Sequence, residues 1–112
     1  MLNLKDIYDE LHSLGVVGSG RSFGDFANRS QSYLSSSLSR CRRPSAEVLL
    51  ALIQNINDCL DATIEAAALS KSDEDRGEYE HGINGLKVLE ARVWGEIWQR
   101  AGSRNGYSAS NR

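Results

Sequence analysis

The chain has 112 residues, of which 40% are hydrophobic and 25% are charged, and its formal net charge is −2. This composition is typical of a folded globular unit and excludes a collagen-like or wholly disordered chain. No apolar run approaches the roughly 18 residues of a membrane span, and the N-terminal residues lack the pattern of a signal peptide. We therefore expect a cytoplasmic protein without a membrane partner.

The charge is unevenly distributed along the chain. Residues 19–45 hold five arginines and one aspartate, which gives them a net charge of +4. Residues 1–18 carry −2, and residues 46–100 carry −6. A basic segment between two acidic ones indicates that an anionic partner would bind within residues 19–45.

Side chains that could bind a metal ion or act in catalysis are few and are far apart in the sequence. The two cysteines and two histidines have none of the spacing of zinc ligands, so we expect neither a metal nor another cofactor. The serines have no histidine and aspartate partners in a pattern that supports nucleophilic catalysis. We therefore expect a protein that is not an enzyme, and no small-molecule ligand is evident.

Apolar periodicity predicts an all-α chain without strands. The short helices are expected at about residues 4–14, 23–28 and 31–40, a long helix follows Pro44, and a last helix covers about 78–100. Their N-caps are expected at Asn3, Ser22, Ser30 and Ser45. Gly15 should end the first helix, residues 70–77 should form a loop, and residues 102–112 should form a disordered tail.

The second and third predicted helices have the features of a helix-turn-helix motif. Gly24, which has only a hydrogen atom in place of a side chain, lets the two helices pack tightly. Asn28 is suited to the left-handed conformation of the turn, and Ser30 is suited to cap the helix that follows. Apolar anchors are expected on both sides of the turn, at Phe23 and Ala27 before it and at Leu34 and Leu38 after it.

Residues 22–53 resemble the phage-repressor (Cro/C1-type) helix-turn-helix family. The resemblance lies in Phe-Gly-Asp-Phe-Ala-Asn-Arg-Ser-Gln-Ser-Tyr-Leu-Ser, then Arg-Cys-Arg-Arg-Pro-Ser, then an apolar helix. Three positions depart from the family pattern: Asn28 replaces the turn glycine, Arg29 replaces a small apolar residue, and Ser37 stands where the second anchor is usual. The resemblance implies a lambda-repressor-like domain over residues 1–56.

The same resemblance implies DNA binding through the third helix. Gln31 near its start could pair with adenine in the major groove, and arginines at its end suit phosphates. Small serine side chains would allow close approach to the bases. The expected DNA-binding residues are Arg21, Arg29, Ser30, Gln31, Ser32, Tyr33, Ser35, Ser36, Arg40, Arg42 and Arg43.

The last two helices form a hairpin over residues 57–101 that is not part of the family core. Trp94 and Trp98 lie one turn apart on it, and tryptophan is enriched in interface cores. We expect a homodimer with two recognition helices about 34 Å apart. Its interface is expected at Ile64, Leu86, Val93, Trp94, Ile97 and Trp98. The alternative is that both tryptophans pack on the first helix within a monomer.

Taken together, the sequence predicts a dimeric repressor, of bacterial or phage type, that binds double-stranded DNA. The alternative is a protein-interaction adaptor or antitoxin-like protein that uses the same fold without DNA. The two hypotheses differ in whether the five arginines of residues 19–45 share one surface with Gln31. If the arginines are scattered, the adaptor hypothesis is favoured.

Overall fold

The computed structural model of the chain describes residues 2–105, with side chains described for residues 2–102. The helices within this range are α1 (Leu4–Ser13), α2 (Gly20–Phe26), α3 (Tyr33–Ser39), α4 (Ala46–Leu69) and α5 (Asp73–Asn105). Residues 2–105 contain no strand. The all-α prediction is therefore confirmed.

The first three helices end in the same backbone motif. Their terminal turns place Gly15, Asn28 and Cys41 at φ values of 77°, 59° and 52°. In each case the next residue donates its N–H to the carbonyl five residues earlier, as in Arg29 to Gly24 and Arg42 to Ser37. This is the Schellman motif, in which a left-handed residue satisfies the last carbonyls of the helix. Asn28 was predicted to take this conformation, whereas Cys41 was not.

The helix starts differ from the prediction around the turn. Asn3 and Ser45 cap α1 and α4 as expected. Ser19, rather than Ser22, caps α2, and the Ser22 hydroxyl completes the capping box by accepting from the Ser19 N–H. Ser30 does not cap α3, because it lies within the turn and its carbonyl accepts from the Tyr33 N–H.

Helix α5 is longer than predicted at both ends. The loop before it shrinks to residues 70–72, because the acidic residues that follow occupy the first helical turn, where carboxylates interact favourably with the helix dipole. At the other end the helix continues through residues 102–105, which were expected in the disordered tail. The rest of that predicted tail, residues 106–112, lies outside the described residues.

One hydrophobic core joins the short helices to the hairpin. It contains α1 and α2 side chains such as Ile7 and Phe23, and α5 contributes Leu86, Leu89 and Val93. The boundary expected at residue 56 falls inside α4, and the core continues across it to Leu60.

The far end of the hairpin projects from this core. All side chains of residues 71–81 are exposed. The Cα radius of gyration is 16.0 Å and the Cα extents are 53 × 37 × 18 Å, whereas a compact chain of this length has a radius of gyration of about 13 Å. The elongation therefore comes from helices that extend beyond the core.

Within residues 2–105, no helix is both long enough and apolar enough to cross a membrane.

Candidate nucleic-acid interface

The packing of α2 on the turn depends on Gly24. A Cβ atom at this position would collide with the backbone carbonyl of Ser30 and would lie 3.2 Å from the Cα atom of Gln31. Because both groups belong to the backbone, no rotamer change could relieve the clash. Gly24 therefore fixes how closely the start of α3 approaches α2, as the sequence predicted.

The turn is also held from α4. The side-chain amide of Asn55 donates to the backbone carbonyl of Phe26 and lies 3.3 Å from the side-chain oxygen of Asn28. Sequence reasoning missed Asn55. The only signal was a polar residue between Leu52 and Ile56 on a helix whose inward positions are otherwise apolar.

Helix α3 presents a serine ridge to solvent, formed by Ser32, Ser35, Ser36 and Ser39. Its inner side buries Leu34 and Ser37, which lie three residues apart on one face. Leu38 was expected to be an apolar anchor, but it is 43% exposed, whereas Ser37 is 5% exposed. The second anchor of the helix is therefore Ser37, and the prediction of Leu38 as an anchor is wrong.

Three hydroxyls of the serine ridge are engaged within the chain. The Ser32 hydroxyl lies 3.3 Å from the hydroxyl of Ser30. Ser35 donates to the carbonyl of Ser32, and Ser39 donates to the carbonyl of Ser36. Each oxygen keeps acceptor capacity, since a hydroxyl has two lone pairs. In this arrangement the ridge offers acceptors at Ser35 and Ser39, and the exposed Gln31 just before it offers an amide.

The arginines flank α3 instead of forming one cluster. Arg21 and Gln31 line a cleft of about 790 Å³ beside Leu34 and Leu38. A second depression, beside Tyr33 and Ser37, is lined by Arg29, Arg42 and Arg43. No α3 residue lines both depressions, so the two groups of cations lie on different sides of the serine ridge. Arg40 is exposed at the end of α3.

Two of the predicted DNA-binding arginines have acidic neighbours. The guanidinium of Arg29 lies 3.8 Å from the carboxylate of Glu47 in an exposed pair. The guanidinium of Arg43 lies 3.1 Å from the carboxylate of Glu96, whose side chain is buried. Arg43 is therefore engaged within the fold, which the sequence-based assignment to phosphate binding did not anticipate.

Glu96 ties α5 to the N-terminal part of the chain. Its carboxylate accepts from Arg100 and Arg43 and from the backbone N–H of Leu2, and Arg100 also donates to the carbonyl of Pro44. Burial raises the pKa of Glu96, but the hydrogen bonds from Arg100, Leu2 and Arg43 outweigh it and the net pKa is lowered. A charged Glu96 thus stabilises this junction.

The residues expected at a dimer interface divide into two groups. Leu86 and Val93 are buried in the core of this chain, and Ile97 is half-buried against it. The assignment of Leu86 and Val93 to a dimer surface is wrong, because this chain's own core covers them. The assignment of Ile97 stays a prediction. Ile64, Trp94 and Trp98 are exposed, and the two indole rings stack with centroids 6.1 Å apart.

Metal-binding groups do not cluster in the part of the chain that the structure describes. Residues 2–105 contain no group of three or more His, Cys, Asp or Glu side chains placed to hold an ion. Cys41 is an exposed free thiol and Cys59 is a half-buried one.

Comparison with known proteins places the chain in a family without assigning its function. No curated protein and no solved structure matches the chain. One family model matches residues 4–104, from the start of α1 almost to the end of α5. Its description gives no activity, so the resemblance to phage repressors stays a prediction. The chain belongs to the family of unknown function DUF6626.

Proposed function

We propose that this protein binds double-stranded DNA by placing α3 in the major groove and acts as a transcriptional repressor. The observation that carries the proposal is the turn between α2 and α3. Gly24 against the Ser30 carbonyl and left-handed Asn28 hold α3 with its serine ridge exposed. An exposed short helix with small polar side chains is suited to close approach to base edges.

The five arginines do not share one surface with Gln31, and by the criterion given above this favours the adaptor. Their positions are nevertheless compatible with a helix that enters the major groove. A helix in the major groove has a phosphate strand on each side. Arg21 lies on one side of the serine ridge, and Arg29 and Arg42 lie on the other. Arginines on both sides could therefore neutralise phosphates of both strands while Gln31 faces the bases.

The test is a titration of fluorescent duplex DNA of random sequence with the protein at several salt concentrations. The test variant is Arg21→Ala/Arg40→Ala/Arg42→Ala, which leaves Arg43 in its ion pair with Glu96. We expect it to weaken binding and to flatten the dependence of log affinity on log salt by about 0.9 for each phosphate that the variant no longer neutralises.

A control variant removes the same number of positive charges from the hairpin, as Lys71→Ala/Arg76→Ala/Arg92→Ala. It should retain the affinity of the wild type, because none of these residues lines either depression beside α3. If both variants bind DNA equally weakly, the protein is attracted to DNA by its net charge alone and not through α3. Absence of binding by the wild type at low salt would overturn the proposal.

A protein-interaction adaptor is the second candidate. The separation of the arginines favours it, and so does an exposed apolar side chain on α3. Leu38 is 43% exposed and lines the cleft between α2 and α3 together with Leu34, and exposed apolar side chains of this kind mark protein contacts when they form a patch. A Leu38→Asp variant should bind duplex DNA much more weakly if α3 enters the groove. If the wild-type protein does not bind DNA, the cleft between α2 and α3 is the surface on which to search for a protein partner.

A further inference from the structure

Helix α5 has an exposed outer face on the side opposite α4. Its inward side carries the buried residues Leu86, Leu89 and Val93. The outer face is apolar in its C-terminal half, where Val88 is 61% exposed and Trp94 and Trp98 are 36% and 66% exposed. Ala91 and Gly95 lie between them and are also exposed. We call these five residues the α5 outer face.

The spacing of the α5 outer face matches a helical partner. Val88, Ala91, Gly95 and Trp98 follow one another at intervals of three, four and three residues. This is the spacing of a coiled-coil seam, along which a second helix packs. The stacked pair of Trp94 and Trp98 adds large aromatic area, and tryptophan is enriched among the residues that carry most of the energy of an interface.

The charges of α5 specify which helix could pack there. Residues 73–80 hold five acidic residues and one arginine, for a net charge of −4, whereas residues 87–104 carry +2. A second α5 in parallel would place two acidic segments side by side. An antiparallel α5 would place each acidic segment opposite the basic half of the other helix. We infer that the α5 outer face binds a second copy of this chain, with the two α5 helices antiparallel.

The available area sets the expected strength of this dimer. The α5 outer face, residues 88–98, extends about 15 Å along the helix at about 1.5 Å per residue. Contact between the acidic and basic segments would lengthen the interface to about 44 Å, from residue 73 to residue 102, and a helix is about 12 Å wide. Such a strip covers about 500 Å² on each copy, or about 1,000 Å² in total, which is near the lower limit for specific interfaces. We therefore expect exchange between monomer and dimer at micromolar concentrations.

Sedimentation velocity between 1 and 300 µM tests the surface, using the full chain without DNA. The test variant is Trp94→Ala/Trp98→Ala, and we expect its dissociation constant to rise at least tenfold. The matched control is Leu50→Ala/Leu69→Ala, which removes two exposed apolar side chains of α4 and should leave dimerisation unchanged. Circular dichroism establishes that both variants retain their helices. A wild type that stays monomeric, or equal effects of the two variants, would overturn the inference.

A spin label tests the orientation of the two helices. The label is attached at Glu74→Cys in a Cys41→Ser/Cys59→Ala background, and the distance between labels in the dimer is measured by pulsed electron resonance. If the helices are antiparallel and centred near residue 88, the labels should lie about 40 Å apart. A distance below about 20 Å would mean a parallel pair and would overturn the proposed orientation. Because no DNA is present, these results are independent of the proposed function.

Discussion

Cys41 is a residue in a conformation that its side chain disfavours. It lies at φ 52° in the turn that ends α3, where Gly15 and Asn28 occupy the equivalent positions of α1 and α2. The left-handed conformation costs a residue with a Cβ atom roughly 1–2 kcal/mol, and asparagine tolerates it better than most. Among the three turns, the one that follows the proposed recognition helix thus carries the least suitable residue.

We expect Cys41→Gly to stabilise the protein. Glycine removes the steric cost of the left-handed conformation, but it also raises the conformational entropy of the unfolded chain, which offsets part of this stabilisation. The free energy of unfolding should therefore rise by about 0.5–1 kcal/mol. This corresponds to a rise in Tm of about 2–6 °C, measured by thermal unfolding under reducing conditions. Cys41→Ser is the control, because it removes the thiol and keeps the Cβ atom. If serine stabilises as much as glycine, the backbone explanation is wrong.

At the scale of elements, the sequence was informative wherever a local signal determined the structure. The α1 and α4 caps at Asn3 and Ser45 were predicted, since capping depends on residues within one helical turn. The start of α3 was not predicted, because Ser30 lies within the turn and its carbonyl accepts a hydrogen bond from the Tyr33 N–H. The contact of Asn55 with the turn spans 29 residues of chain, and no local pattern encodes it.

The distinction between local signals and contacts that are distant in sequence also applies to the predicted site residues. Ser35 and Ser36 are exposed as the helical spacing predicted, whereas Ser37 is buried and Leu38 is exposed, contrary to the prediction. The role of Arg43 was missed because its partner Glu96 lies 53 residues away on α5. Leu86 and Val93 were assigned to a dimer surface because periodicity shows an apolar face without showing which neighbour covers it.

The close packing of α2 against the turn predicts that Gly24→Ala strongly destabilises the protein. The added methyl group would force the backbone at Ser30 to move, so we expect a loss of about 2–3 kcal/mol of stability by urea denaturation. Gly82→Ala is the control, since a Cβ atom there meets no other atom within 4 Å. Removing this glycine from the interior of α5 should stabilise the protein by about 1 kcal/mol. If Gly24→Ala also stabilises, the close approach of α2 to the turn is disproved.

At the scale of the whole molecule, Glu96 joins parts of the chain that are distant in sequence. Its carboxylate contacts Leu2 before α1, Arg43 before α4 and Arg100 near the end of α5. The segment between α3 and α4 is therefore connected through one side chain to the inner side of α5.

This junction predicts a pH dependence of stability. In the folded chain the pKa of Glu96 is lowered, so its charge stabilises the fold above the ordinary glutamate pKa. The contribution is lost as the pH falls through the lowered value. Urea denaturation of wild type and Glu96→Gln should show the variant less stable by about 1–3 kcal/mol at pH 7, with the difference shrinking below about pH 4. Glu80→Gln, an exposed position of the same helix, should differ little from wild type at either pH. A Glu96→Gln deficit that stays constant down to pH 3 would mean that packing, rather than charge, accounts for the role of this side chain.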